Sequence, residues 1–154
     1  SAEVQPQKPR KFRWEESYLL CRQYELDCEN TVLEGNTEEE GQLQDLSLQE
    51  IAARYPLPEW QVQEVDRTVT LCRQQPGLCA VHKKIYHFGM NENGQYLAVY
   101  YGPAAVGNSA GAFLITDIAV ERLSAEQIAE IKAGMYEYMS QEELISMLDN
   151  FSEL

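Results

Sequence analysis

The chain has 154 residues, 44% of them hydrophobic, enough for one ordinary domain or two very small ones with packed cores. Its 25 acidic and 12 basic residues leave a formal charge of −13, which repels phosphate backbones and excludes nucleic acid as a partner class. No apolar run approaches the ~20 residues of a membrane span, and no signal-peptide core is present.

The chain opens Ser1-Ala2-Glu3 without methionine, as a trimmed or mature form would. Lys8, Arg10, Lys11 and Arg13, behind the proline-containing stretch 5–9, read as a flexible basic arm or linker over residues 1–14. Residues 18–24 are rich in strand formers and predict the first strand, and residues 30–33 the second. Ser47-Leu48-Gln49-Glu50 fits Ser-x-x-Glu/Gln, with Leu46 and Ile51 as a hydrophobic staple. In this box the serine caps a first-turn amide and the third following side chain reaches back. That helix stops before Pro56. Residues 60–63 alternate cleanly, and residues 68–72 follow across a turn at Asp66-Arg67. Residues 15–76 therefore read as a ββαββ domain, and residues 77–83 as a connector.

Two further strands, 84–90 and 95–101, flank Asn91-Glu92-Asn93-Gly94, where Asn-Gly is a strong hairpin signal. After a glycine-rich loop comes a strand over 112–116. Two helices follow, opened by Ser124-Ala125-Glu126-Gln127 with the staple Leu123 and Ile128, and by Ser140-Gln141-Glu142-Glu143 with Met139 and Leu144. Gly134 terminates the first of them. Residues 84–154 read as βββαα, a three-stranded sheet with two C-terminal helices. The fold class is α+β, with a protein-G-like first domain and a small second one.

Candidate chemistry is sparse. Gly107-Asn108-Ser109-Ala110-Gly111 matches the nucleophile elbow G-x-S-x-G, but the elbow needs a strand before it and a helix after it. Here a strand follows, and both histidines, His82 and His87, precede the serine rather than follow it. Glu38-Glu39-Glu40 and Glu142-Glu143 read as solvated or dipole-complementing acids. His87 reads as an ordinary strand residue, and Tyr86, Tyr96, Tyr100 and Tyr101 cluster on the hairpin. No catalytic residue, cofactor or metal is assigned.

The four cysteines stay open between three readings. Cys79-x-x-His82 with Cys72 supplies three ligands of a tetrahedral zinc site, which Cys21 or Cys28 would complete. Cys21 and Cys28 have the same spacing as Cys72 and Cys79, so parallel first and fourth strands would set Cys21 near Cys72 and Cys28 near Cys79. Bridging mid-sheet neighbours is awkward, which makes Cys28–Cys79 the more comfortable disulfide. Reduced, buried thiols are the third reading. Placed in the connector, Cys79 reads as a tether and His82 as a hinge residue.

The second half resembles the bypass-of-forespore C family. The residues that carry the likeness are His87-Phe88-Gly89-Met90, residues 94–100, Gly102-Pro103, residues 116–120 with Leu123, Gly134, Gln141-Glu142-Glu143-Leu144, Leu148 and Phe151. Upstream, Tyr18-Leu19, residues 47–60, Val69 and Arg73 are similar to that family's small ββαββ domain. The resemblance implies a non-enzymatic regulator of sporulation. Such proteins are exported to the space between mother-cell and forespore membranes, where they restrain a signalling protease. On that reading the partner is another protein and the export or membrane-anchoring segment lies upstream of Ser1.

Overall fold

A computed structural model describes residues 8–138 and 140–152. It is α+β and divides into two compact units. One is formed by the chain up to Leu19 together with Cys28–Pro76, the other by Leu20–Asp27 together with Gly77 onward.

In the first unit, β1 (Lys11–Tyr18), β2 (Thr31–Leu33), β3 (Trp60–Val65) and β4 (Thr68–Gln75) form a sheet of order β2-β1-β4-β3. β1 runs parallel to β4 and antiparallel to β2, and β3 and β4 form a hairpin. Asp66 and Arg67 turn that hairpin at φ 50° and 63°, the positive pair that matches strand twist in a two-residue turn. The expected strand over 18–24 is not formed: β1 lies upstream and α1 (Leu19–Gln23) takes its place. Lys11, Arg13 and their neighbours alternate with Phe12 and Trp14, so the basic run is the outer face of a strand whose inner face is apolar. Leu, Arg and Gln favour the helix that follows.

Trp14, Leu43, Ile51, Val69 and Leu71 make the core of this unit. Trp14, Tyr55 and Trp60 meet edge to face at centroid distances of 5.0–6.1 Å. Two helices cover the sheet, α2 (Thr37–Leu43) and α3 (Leu48–Arg54), where the sequence predicts one. Asn36 caps α2, accepting the Glu39 amide at 3.0 Å, and Glu38, Glu39 and Glu40 occupy its first turn. The capping box of α3 is complete, with both Ser47–Glu50 hydrogen bonds present.

In the second unit β5 (Tyr86–Met90), β6 (Tyr96–Tyr101), β7 (Ala112–Ala119) and β8 (Glu137–Tyr138) form an antiparallel sheet of order β7-β6-β5-β8. The sheet therefore has four strands rather than three, β8 being a two-residue addition beside β5. The Asn91–Gly94 turn closes β5 onto β6, with Asn91 Oδ1 accepting the Gln95 and Tyr96 amides. α4 (Ala125–Lys132) starts at a complete Ser124–Gln127 box and ends where Gly134 adopts φ 73°. α5 (Gln141–Ser152) has the Ser140 half of its box, and the other staple residue, Met139, lies outside the described residues. Phe88, Leu97, Val99, Leu123, Ile131, Leu144 and Phe151 form the core. Among the described residues no helix is long and apolar enough to cross a membrane.

Candidate functional site

The N-terminal segment of the second unit is built to present a thiol. Cys21 sits on α1, after which Tyr24 N–H donates to Leu20 O and Leu26 N–H to Cys21 O, with Glu25 at φ 53° reversing the chain. Leu20 N–H also donates to Gly77 O at 3.2 Å, which lays α1 beside the Pro76-Gly77 turn. Past that turn Lys83 N–H donates to Cys79 O, and a tight 3-10 turn runs over His82–Lys84. These turns bring the Cys79 and His82 side chains within reach of one another.

The result brings three potential ligand atoms together. Cys79 Sγ lies 3.1 Å from His82 Nδ1, and Cys21 Sγ lies 3.6 Å from the same nitrogen. These three atoms lie within 4.8 Å of one another. Cys21 and Cys79 are buried, and Cys28 and His82 are half-buried. The Cys79 amide donates to Cys21 Sγ at 3.3 Å and the His82 amide to Cys79 Sγ at 3.4 Å.

Cys72, the thiol expected in this group, is not in it. It lies on β4 opposite Gln61 and Glu15, and its sulfur accepts Asn30 Nδ2–H at 3.8 Å. The parallel first and fourth strands are present, but their register pairs Trp14 with Leu71 and Tyr18 with Gln75. Continued past the strand ends, that offset carries Cys21 to the level of Leu78 and Cys79 rather than of Cys72. No disulfide joins any of the four cysteines, neither Cys28 to Cys79 nor Cys21 to Cys72. Residues 77–83, read from the sequence as a connector, belong to the second unit, and His82 faces thiols rather than acting as a bare hinge.

The remaining candidates resolve individually. Ser109 lies in the turn between Gly107 and Gly111, which leads into β7, and its hydroxyl bonds the Tyr24 hydroxyl. His87 is buried, stacks on Tyr100, and donates from Nδ1 to Gly102 O at 2.7 Å. Tyr136 donates its hydroxyl to Glu130, and this bond is the main reason its pKa is pushed up to about 12.

One surface was not anticipated. β7 is an edge strand, yet Phe113, Leu114 and Ile115 are 36%, 42% and 55% exposed on it. Phe113 packs on Tyr86 and Tyr101 at 5.0 and 5.7 Å. The signal was present in Ala112-Phe113-Leu114-Ile115, a continuous apolar run where a covered strand with one wet face would alternate.

No family model matches this chain, and no curated protein is significantly similar to it.

Proposed function

We propose that this chain is a non-enzymatic regulatory protein that acts by binding another protein, and that the binding element is the outer edge of β7. The supporting observation is that edge: three consecutive exposed apolar residues on a strand with one side outside the sheet. Such an edge is a template for adding an extended segment, whose main chain pairs with the strand and whose side chains meet the apolar ones. The charge of −13 favours a partner segment that is neutral or basic.

The resemblance to the bypass-of-forespore C family supplies the partner class, a sporulation signalling protease, and with it an extracytoplasmic location between the two forespore membranes. The test is a cleavage assay of such a protease with its protein substrate. The wild-type chain should slow cleavage in a concentration-dependent way. A Leu114→Lys, Ile115→Lys variant that melts like the wild type should not. If the wild type leaves cleavage unchanged, or the variant inhibits equally, the reading is lost.

A further inference from the structure

The geometry points to a zinc site with one open position, held within the second unit by Cys21, Cys79 and His82. All three residues belong to that unit, Cys21 on α1 and the other two just past Gly77. Zinc is held at about 2.3 Å from sulfur and 2.0–2.1 Å from nitrogen, which sets a tetrahedral sulfur–nitrogen pair roughly 3.5–3.6 Å apart. The Cys21–His82 distance is 3.6 Å, and the Cys79–His82 distance of 3.1 Å has to open by about half an ångström. A sulfur–sulfur pair on zinc lies roughly 3.8 Å apart, and the three atoms already fall within 4.8 Å of one another.

The backbone sets these donors in place before any ion arrives. Leu20 N–H donates to Gly77 O at 3.2 Å and Cys79 N–H to Cys21 Sγ at 3.3 Å, which ties α1 to the segment carrying the other two ligands. Leu78, between those two bonds, is buried, and its Cδ1 lies 2.7 Å from where a Cβ would stand on Gly102. Lys83 N–H closes on Cys79 O at 2.9 Å, and the tight turn over His82–Lys84 sets His82 against Cys79.

The donor chemistry selects the ion. Two sulfurs and an imidazole suit zinc and not calcium or magnesium, which require oxygen. Binding replaces two thiol protons, released to solvent, with one Zn2+, so with a neutral imidazole the centre carries no net charge. That neutrality fits the burial of Cys21 and Cys79, 2% and 7% exposed, where an uncompensated charge would be costly. His82 is half-buried and gives the ion a route to solvent. Three protein ligands leave the fourth tetrahedral position to water or to one small donor from outside, a thiolate or an imidazole.

The test uses the full chain, kept reduced. Elemental analysis after dialysis should find one zinc per chain. Cobalt should replace it with the visible bands of tetrahedral coordination and a near-ultraviolet charge-transfer band of the intensity given by two thiolates. Added imidazole should shift those visible bands, which a closed four-ligand site would not allow. Cys21→Ser, Cys79→Ser and His82→Asn should each weaken zinc binding by more than the roughly 10–100-fold cost of losing an outer-shell partner. Cys28→Ser and Cys72→Ser, both in the other unit, should leave it unchanged. Because ligand variants can misfold, the cobalt spectrum and its response to imidazole are read on the wild type. A chain that takes up no zinc or cobalt overturns the proposal, as does binding of copper(I) alone. Loss of zinc in Cys28→Ser or Cys72→Ser, or a charge-transfer band of three thiolates, overturns the ligand set. Cobalt bands that ignore imidazole overturn the open position.

Discussion

At Gly102 a single hydrogen in place of a side chain holds three contacts together. Its backbone has φ +92°, its amide donates to Ile85 O at 2.6 Å, and its carbonyl accepts the buried His87 ring. A Cβ there would lie 2.7 Å from Leu78 Cδ1 and 2.9 Å from Val106 Cγ2. Gly102→Ala should therefore destabilise by about 1–3 kcal/mol, since overpacking adds to the backbone cost. Gly94 has a similar φ, +71°, but open space around the same position, so Gly94→Ala should cost only about 1 kcal/mol. Urea midpoints of the two variants decide it, and an equal loss would mean the packing argument is wrong. Tyr136 gives a second prediction at this scale. Its folded pKa of about 12 exceeds the ordinary value of 10.0, chiefly through the bond to Glu130. In that window the unfolded chain has released the phenol proton and the folded chain still holds it, so stability is whole below pH 10 and falls as pH rises towards 12. Tyr136→Phe should flatten this alkaline decline, read as the thermal midpoint against pH. An identical decline in the variant would assign it to other groups.

Among the elements, legibility followed how local the cause is. The capping boxes at Ser47 and Ser124 involve four residues each, and both are present in full. α2 follows the same logic, an Asn cap and an acidic first turn, but three adjacent glutamates read more readily as a solvated run. β1 was misplaced because its alternation is carried by lysine and arginine, residues that also signal an arm. Loss of a complete box should cost about 1 kcal/mol, so Ser124→Ala should lower unfolding free energy by that amount. The Ser140 hydroxyl accepts the Glu143 amide in the same way, so Ser140→Ala should cost a similar amount. Equilibrium denaturation of the two variants checks both values, and no loss at either serine would contradict the capping argument.

For the molecule as a whole, the α+β class and the pairing of first and fourth strands were legible, and of the candidate cluster Cys79, His82 and Cys21 were named from the sequence, with Cys72 wrongly set beside them. The place of Cys72 depends on register: β1 begins seven residues before the expected strand, and its pairing with β4 carries Cys21 to the level of Leu78 rather than of Cys72. Sequence spacing cannot recover a register that is set by which strand face is buried. The global charge is different, because it needs no fold to be read. With 25 acids and 12 bases the folded chain repels itself. Against this stand four ion pairs among the described residues: Arg10–Glu64, Arg13–Glu15, Arg67–Glu64 and Arg73–Glu59. Pairs of this kind contribute at most about 1 kcal/mol each and salt weakens them. Salt also shortens the screening length from about 30 Å at 0.01 M to about 8 Å at 0.15 M, which quenches the many longer-range repulsions first. The repulsion should win. Adding sodium chloride over that range should raise the thermal midpoint, and an uncharged osmolyte at matched osmolality should not reproduce the rise. A midpoint that falls with salt would show that the few short attractive pairs outweigh the net charge.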